Sequence, residues 1–155
     1  MTVGAMKTAL MKATDLLARQ EQSERQLRQK LSARKYSDEE IDVAVETLKA
    51  RRYLDDEATC GRQFERLYSS GKLSLKQIYV KLMNWGFDAA LIERQVPAVV
   101  DEHERAAALR VLTAKFKSVP EDKKMWQYLS TRGFDGDAIT SAVDAFKNEC
   151  GAANE

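Results

Sequence analysis

Apolar residues recur along this chain at helical spacing, and one arrangement of them is written three times. The copies are Leu31/Tyr36/Ser37/Ile41/Val45/Leu48, Leu82/Phe87/Asp88/Ile92/Val96/Val99 and Leu129/Phe134/Asp135/Ile139/Val143/Phe146. In each, the aromatic stands five positions after Leu, Ile five after the aromatic, Val four after Ile and the last apolar residue three after Val. A further apolar residue stands four before each Leu: Leu27, Ile78 and Met125. The aromatics lie 51 and then 47 residues apart. A period of that length belongs to arrays of helical repeats, because each unit must stack on its neighbours to bury its apolar face.

The middle copy shows what one unit contains. Leu82 to Trp85 ends a helix, and Gly86 fits just past that end, where a left-handed residue closes the open carbonyls. Phe87 folds back onto the helix it leaves. Asp88 suits an N-cap, since its carboxylate can accept a free amide of the next turn. Leu91, Ile92, Val96 and Val99 then form an apolar stripe. Ser23 with Gln26, Ser37 with Glu40 and Ser74 with Gln77 read as capping boxes.

The same signals predict nine helices in three triplets, with no stretch reading as strand. The first runs from about Ala5 to Gln20 on Leu10, Leu16 and Leu17. The second carries Leu27 and Leu31, and the third begins at Ser37. Tyr53 and Leu54 pack at the link to a fourth helix, which Asp55 caps and which is anchored by Phe64 and Leu67. The fifth carries Ile78 and Leu82. The sixth runs from Asp88 toward Glu102, with a bend or an earlier end near Pro97, which removes a hydrogen bond. The seventh spans His103 to Phe116, and the eighth and ninth carry Met125/Leu129 and Ile139/Val143/Phe146. The expected units are residues 1–53, 54–102 and 103–150, with 151–155 a disordered tail.

Composition adds little until it is mapped. Of 155 residues 25 are basic and 24 acidic, for a net charge of +1, which alone argues for no nucleic-acid partner. From Arg19 to Lys35, however, there are six basic and two acidic residues, and from Arg62 to Lys81 five and one. From Asp88 to Glu104 acids outnumber bases. A basic face is therefore expected on the first half to two-thirds of the chain. Its candidate contacts are Arg25, Arg28, Lys30, Arg34 and Lys35, then Arg51, Arg52, Arg62, Arg66, Lys72, Lys76 and Lys81. Arg and Lys on helix faces suit phosphate or carboxylate partners, Arg by its planar fork. The plain alternative is that each is only a solvated face.

Catalytic chemistry is not apparent. His103 is the single histidine and reads as solvated. Cys60 and Cys150 match no metal spacing; Cys60 reads as a small core residue and Cys150 as an exposed thiol. No glycine-rich phosphate loop occurs. Asp55-Asp56 could form a metal pair, but capping fits a helix start better. Trp85 and Trp126 could stack on bases, although packing between units suits them better. With no leader and no apolar run near 20 residues, a cytosolic, reduced protein is expected, without membrane contact and without a cofactor.

One segment resembles a known family. Tyr53-Leu54-Asp55-Asp56, the basic helix with Arg62 and Arg66, a glycine-containing break, then Ile78-x-x-x-Leu82-x-x-x-Gly86-Phe87 is similar to the RecX family, regulators of the bacterial recombinase RecA. Ser23-Glu24-Arg25-Gln26-Leu27-Arg28-Gln29-Lys30-Leu31 resembles its first repeat. The likeness covers residues 10 to 147 and is strongest from Ser23 to Phe87. It departs from the family pattern at Thr59 and Cys60, at Ser74-Leu75 and at Lys35, near which the family has glycine. The resemblance implies an all-α, elongated and curved array of three tandem three-helix repeats. It implies a monomer that binds the RecA–DNA filament groove, with non-specific contact to single- and double-stranded DNA, and inhibits ATPase, strand exchange or filament growth. The competing readings are a DNA-binding helical protein, acting through sequence-independent phosphate contacts or through a helix-turn-helix reader, and a scaffold that binds protein alone.

Overall fold

The computed structural model describes residues 7–153, with side chains through residue 151. Among the described residues there are nine helices and no strand. They are α1 (Ala9–Arg19), α2 (Glu24–Ala33), α3 (Asp38–Ala50), α4 (Asp56–Ser69), α5 (Leu75–Trp85), α6 (Ala89–Gln95), α7 (Asp101–Lys115), α8 (Asp122–Thr131) and α9 (Gly136–Ala153). The expected start of α1 at Ala5 lies outside the described residues. Residues 151–153 continue α9 instead of joining a disordered tail, and the last two residues of that expected tail also lie outside. No described helix is long and apolar enough to cross a membrane.

The chain forms two compact units, Met1–Arg62 with Leu82–Ile92, and Gln63–Lys81 with Glu93–Glu155. Helices α4, α5 and α6 each contribute residues to both. In the first unit α1, α2 and α3 pack around Ala13, Leu16, Leu27, Leu31, Ile41, Val45 and Leu48, closed by Leu54. In the second, α7, α8 and α9 enclose Ala108, Leu112, Met125, Leu129, Phe134, Ile139, Val143 and Phe146. The apolar stripe at 3.6-residue period thus becomes the buried face in both.

Each copy of the motif closes its turn by the same bonds. The amides of Tyr36, Phe87 and Phe134 donate to the carbonyls of Leu31, Leu82 and Leu129 at 3.4, 3.2 and 3.3 Å. This six-to-one bond needs a left-handed residue before the aromatic. Gly86 (φ 100°) and Gly133 (φ 88°) supply it, and in the first copy Lys35 does so at φ 71°. Left-handed geometry costs a residue with a Cβ about 1–2 kcal/mol. Part of that is returned when glycine loosens the unfolded chain. Lys35→Gly is therefore expected to raise stability, by under about 1 kcal/mol, read from denaturant midpoints. A lower midpoint would show that Lys35 makes compensating contacts.

Three expectations fail for identifiable reasons. Val96 and Val99 are exposed, Val99 by 77%, because α6 stops at Gln95; Pro97 cannot donate to the helix ladder and disfavours helical backbone at Val96. Tyr53 stands 69% exposed while its neighbour Leu54 is buried. Cys150 packs against the second core instead of forming an exposed thiol. The other thiol, Cys60, is buried as expected, and burial together with Asp56 pushes it up to about 11, which leaves it protonated and unreactive near neutral pH.

Candidate nucleic-acid interface

The capping boxes form as the spacing requires. Ser23, Ser37 and Ser74 accept from the amides of Gln26, Glu40 and Gln77, each at 3.1 Å, and Asp55 caps α4 through the amide of Ala58. Two of these serines do more. Ser23 also donates its hydroxyl to the carbonyl of Trp85, at the end of α5. Ser74 donates to the carbonyl of Arg132, at the end of α8, at 2.5 Å. Beside each, the first helical amide donates to a carboxylate far along the chain: Glu24 to Asp56 at 2.8 Å and Leu75 to Glu104 at 3.1 Å. Those amides have no partner within their own helix. The two joints are built alike, one in each compact unit.

Glycine is required at both joints for a second reason. A Cβ on Gly86 would lie 2.8 Å from the Cβ of Arg25 and 3.0 Å from the Ser23 hydroxyl. A Cβ on Gly133 would lie 2.8 Å from the Cβ of Lys76 and 3.0 Å from the Ser74 hydroxyl. The start of one helix thus rests directly on the turn that ends another.

These joints set where the candidate cations go. On α2 a step of 100° per residue leaves Arg25 and Arg28 about 60° apart and sends Lys30 to the opposite side. Arg25 and Lys76 lay their stems on Gly86 and Gly133. Arg28 is neutralised by Asp42 at 2.7 Å and Glu24 at 3.5 Å, and its guanidinium pKa is raised, first by the Asp42 bond. Arg62 pairs with Glu21 at 2.5 Å, and Arg66 donates to Gln63 at 2.9 and 3.0 Å. Arg34 donates to the carbonyl of Lys30 at 3.0 Å. Arg51 is the C-cap of α3. Arg52, left-handed at φ 60°, joins Lys49 in a cleft of about 490 Å³ lined by Glu24, Asp55, Asp56 and Asp88. Four carboxylates beside two cations make that cleft unsuited to phosphate. Lys30, Arg34, Lys35, Arg51, Lys72 and Lys81 form no ion pair among the described residues.

Sequence reasoning missed the roles of Asp56, Glu104 and His103. Asp56 does not cap α4, which Asp55 caps, but accepts from the first amide of α2. Glu104 is buried and serves α5. His103 is not solvated: its ring stacks on Tyr68 with centroids 3.7 Å apart, and its nitrogens meet the Tyr68 carbonyl at 2.9 Å and Glu104 at 3.2 Å. The sequence signal was slight, an acid and a histidine in the first turn of a helix. No cluster of His, Cys, Asp or Glu among the described residues could hold a metal ion.

Burial raises the carboxyl pKa of Glu104, and its bonds to His103 and Leu75 oppose this only in part. The folded chain therefore holds that proton to higher pH than the unfolded chain, so stability falls as pH rises from about 4.5 through the raised value. The melting temperature of the natural chain minus that of Glu104→Gln should decline across this window. A difference that grows with pH would contradict burial as the dominant effect.

A family model described as the first three-helix domain of RecX matches residues 9–48. The chain is 30% identical over 139 residues to the regulatory protein RecX of Caldanaerobacter subterraneus, covering 89% of this chain and 70% of that one. It is 30% identical over 155 residues to the regulatory protein RecX of Neisseria meningitidis serogroup B, covering 93% and 97%. Among solved structures, RecX from Lactobacillus salivarius has a similar fold, with a TM-score of 0.75 at 16% identity over 89% of this chain and 94% of that one.

Proposed function

The chain belongs to the RecX family of regulatory proteins, and from that premise we propose that it binds the RecA–DNA filament and inhibits its ATPase, strand exchange and growth. It acts as a monomer in the cytosol and carries out no catalysis of its own. The observation that carries this reading is the likeness to proteins named as regulators over nearly the whole chain. Cations left without carboxylate partners also favour it. On the first unit these include Lys30, Arg34 and Lys35 around the C-terminal end of α2. They remain free for phosphate or for acidic groups of a filament, whereas Arg28 and Arg62 are already neutralised.

The test is the single-stranded-DNA-dependent ATPase of the recombinase, with and without this protein. The natural chain lowers the rate. Lys30→Glu, Arg34→Glu and Lys35→Glu combined leave the circular dichroism unchanged and relieve much of the inhibition. Full inhibition by that folded variant removes this end of α2 from the interface. No inhibition by the natural chain removes the reading itself.

A further inference from the structure

Part of the unneutralised positive charge of the second unit lies where the sequence did not point, at the corner between α7 and α8. Tyr128 is the centre. Arg132 lies over its ring at 3.5 Å and also donates to the Tyr128 carbonyl at 3.1 Å. Lys115 approaches the same ring at 5.6 Å, Phe116 meets it edge-on with centroids 5.6 Å apart, and Lys124 lies 5.9 Å from Phe116. Lys117 follows Phe116 and is exposed, as are Lys115 and Lys124. Aromatic rings hold cations through their quadrupole without cancelling the charge. No ion pair joins Lys115, Lys117, Lys124 or Arg132 to a carboxylate among the described residues. Of the acids that start α8, Asp122 is taken by Lys147 at 2.9 Å, and Glu121 precedes it.

We propose that this corner binds the phosphodiester backbone of nucleic acid, independently of the filament contact. Lys124, Tyr128 and Arg132 follow at four-residue steps, so they form one line about 12 Å long, with Lys115 beside it. Lys124 and Arg132 at the two ends of that line, with Lys115 beside it, match a polyanion with charge at every step along its strand. Base readout has no part, since Arg132 already covers a face of the Tyr128 ring. The contact is therefore sequence-independent and salt-sensitive.

The test uses the full chain and fluorescence anisotropy of labelled oligothymidylate, with a duplex of mixed sequence as the second arm and no recombinase present. Its outcome is thus separate from the ATPase result. Between about 50 and 200 mM salt, affinity of the natural chain falls steeply. The combined variant Lys115→Gln, Lys117→Gln and Lys124→Gln lowers the slope of log affinity against log salt by about 2 on the single strand. It also weakens binding at low salt by roughly tenfold or more. The corresponding Lys→Arg variant retains both properties. Helical circular dichroism and melting temperature check folding, which these exposed, unpaired side chains should not disturb. A weaker slope on only one probe identifies the strand form bound at this corner. Unchanged slope and affinity on both probes, or no binding by the natural chain, overturns the proposal. So does displacement by polyglutamate as effective as that by unlabelled oligonucleotide at equal charge concentration, which would assign the corner to an acidic protein segment.

Discussion

Phe87→Ala should lower the unfolding free energy by about 3–5 kcal/mol, the range for deleting a large aromatic from a packed core. Phe87 is 2% exposed and is the largest fully buried side chain among the described residues. Its backbone is held by the hydrogen bond that its amide donates to the Leu82 carbonyl, so the site cannot easily collapse into the cavity. For a chain of this size the loss corresponds to a fall in melting temperature of roughly 10 °C. Val99→Ala is the control. It removes an apolar group from the last position of the same motif copy, yet Val99 is 77% exposed, and the change should stay within about 0.5 kcal/mol. Calorimetry on both variants decides the matter. An unmoved melting temperature for Phe87→Ala would place the ring outside the core.

The second large effect is expected at a joint. Ser37→Ala removes an exposed N-cap and should cost about 1 kcal/mol. Ser74→Ala removes the equivalent cap and also the hydroxyl that donates to the Arg132 carbonyl. Ser74 is fully buried, so an acceptor left without a donor there adds about 1–3 kcal/mol. The total should reach about 2–4 kcal/mol, and denaturant titration of the two variants measures the difference. Equal losses at the two positions would mean that the Arg132 carbonyl finds another donor and that the bond does not hold the joint.

The repeated motif and the pairing of Ser with Gln or Glu at three-residue spacing determined the all-α class, the capping boxes and the aromatic turns. Those features are set within about six residues of chain, by the 3.6-residue period and by amides and carbonyls that must be satisfied at helix ends. Family membership was also legible, from Tyr53-Leu54-Asp55-Asp56 and the run from Ile78 to Phe87. The fate of the charges was not. Arg28 meets Asp42 fourteen residues away, and Glu24 meets Asp56 across thirty-two. Whether a cation is cancelled, packed over a glycine or left free depends on distances that no local pattern encodes. Tertiary packing alone turned Asp56 and Glu104 into acceptors for distant helix starts. It also neutralised Arg28 and Arg62 and placed unpaired lysines near Tyr128, beyond the basic stretches that the sequence marked out. Helical periodicity assigns a residue to a face; only the partner across that face decides whether its charge remains available.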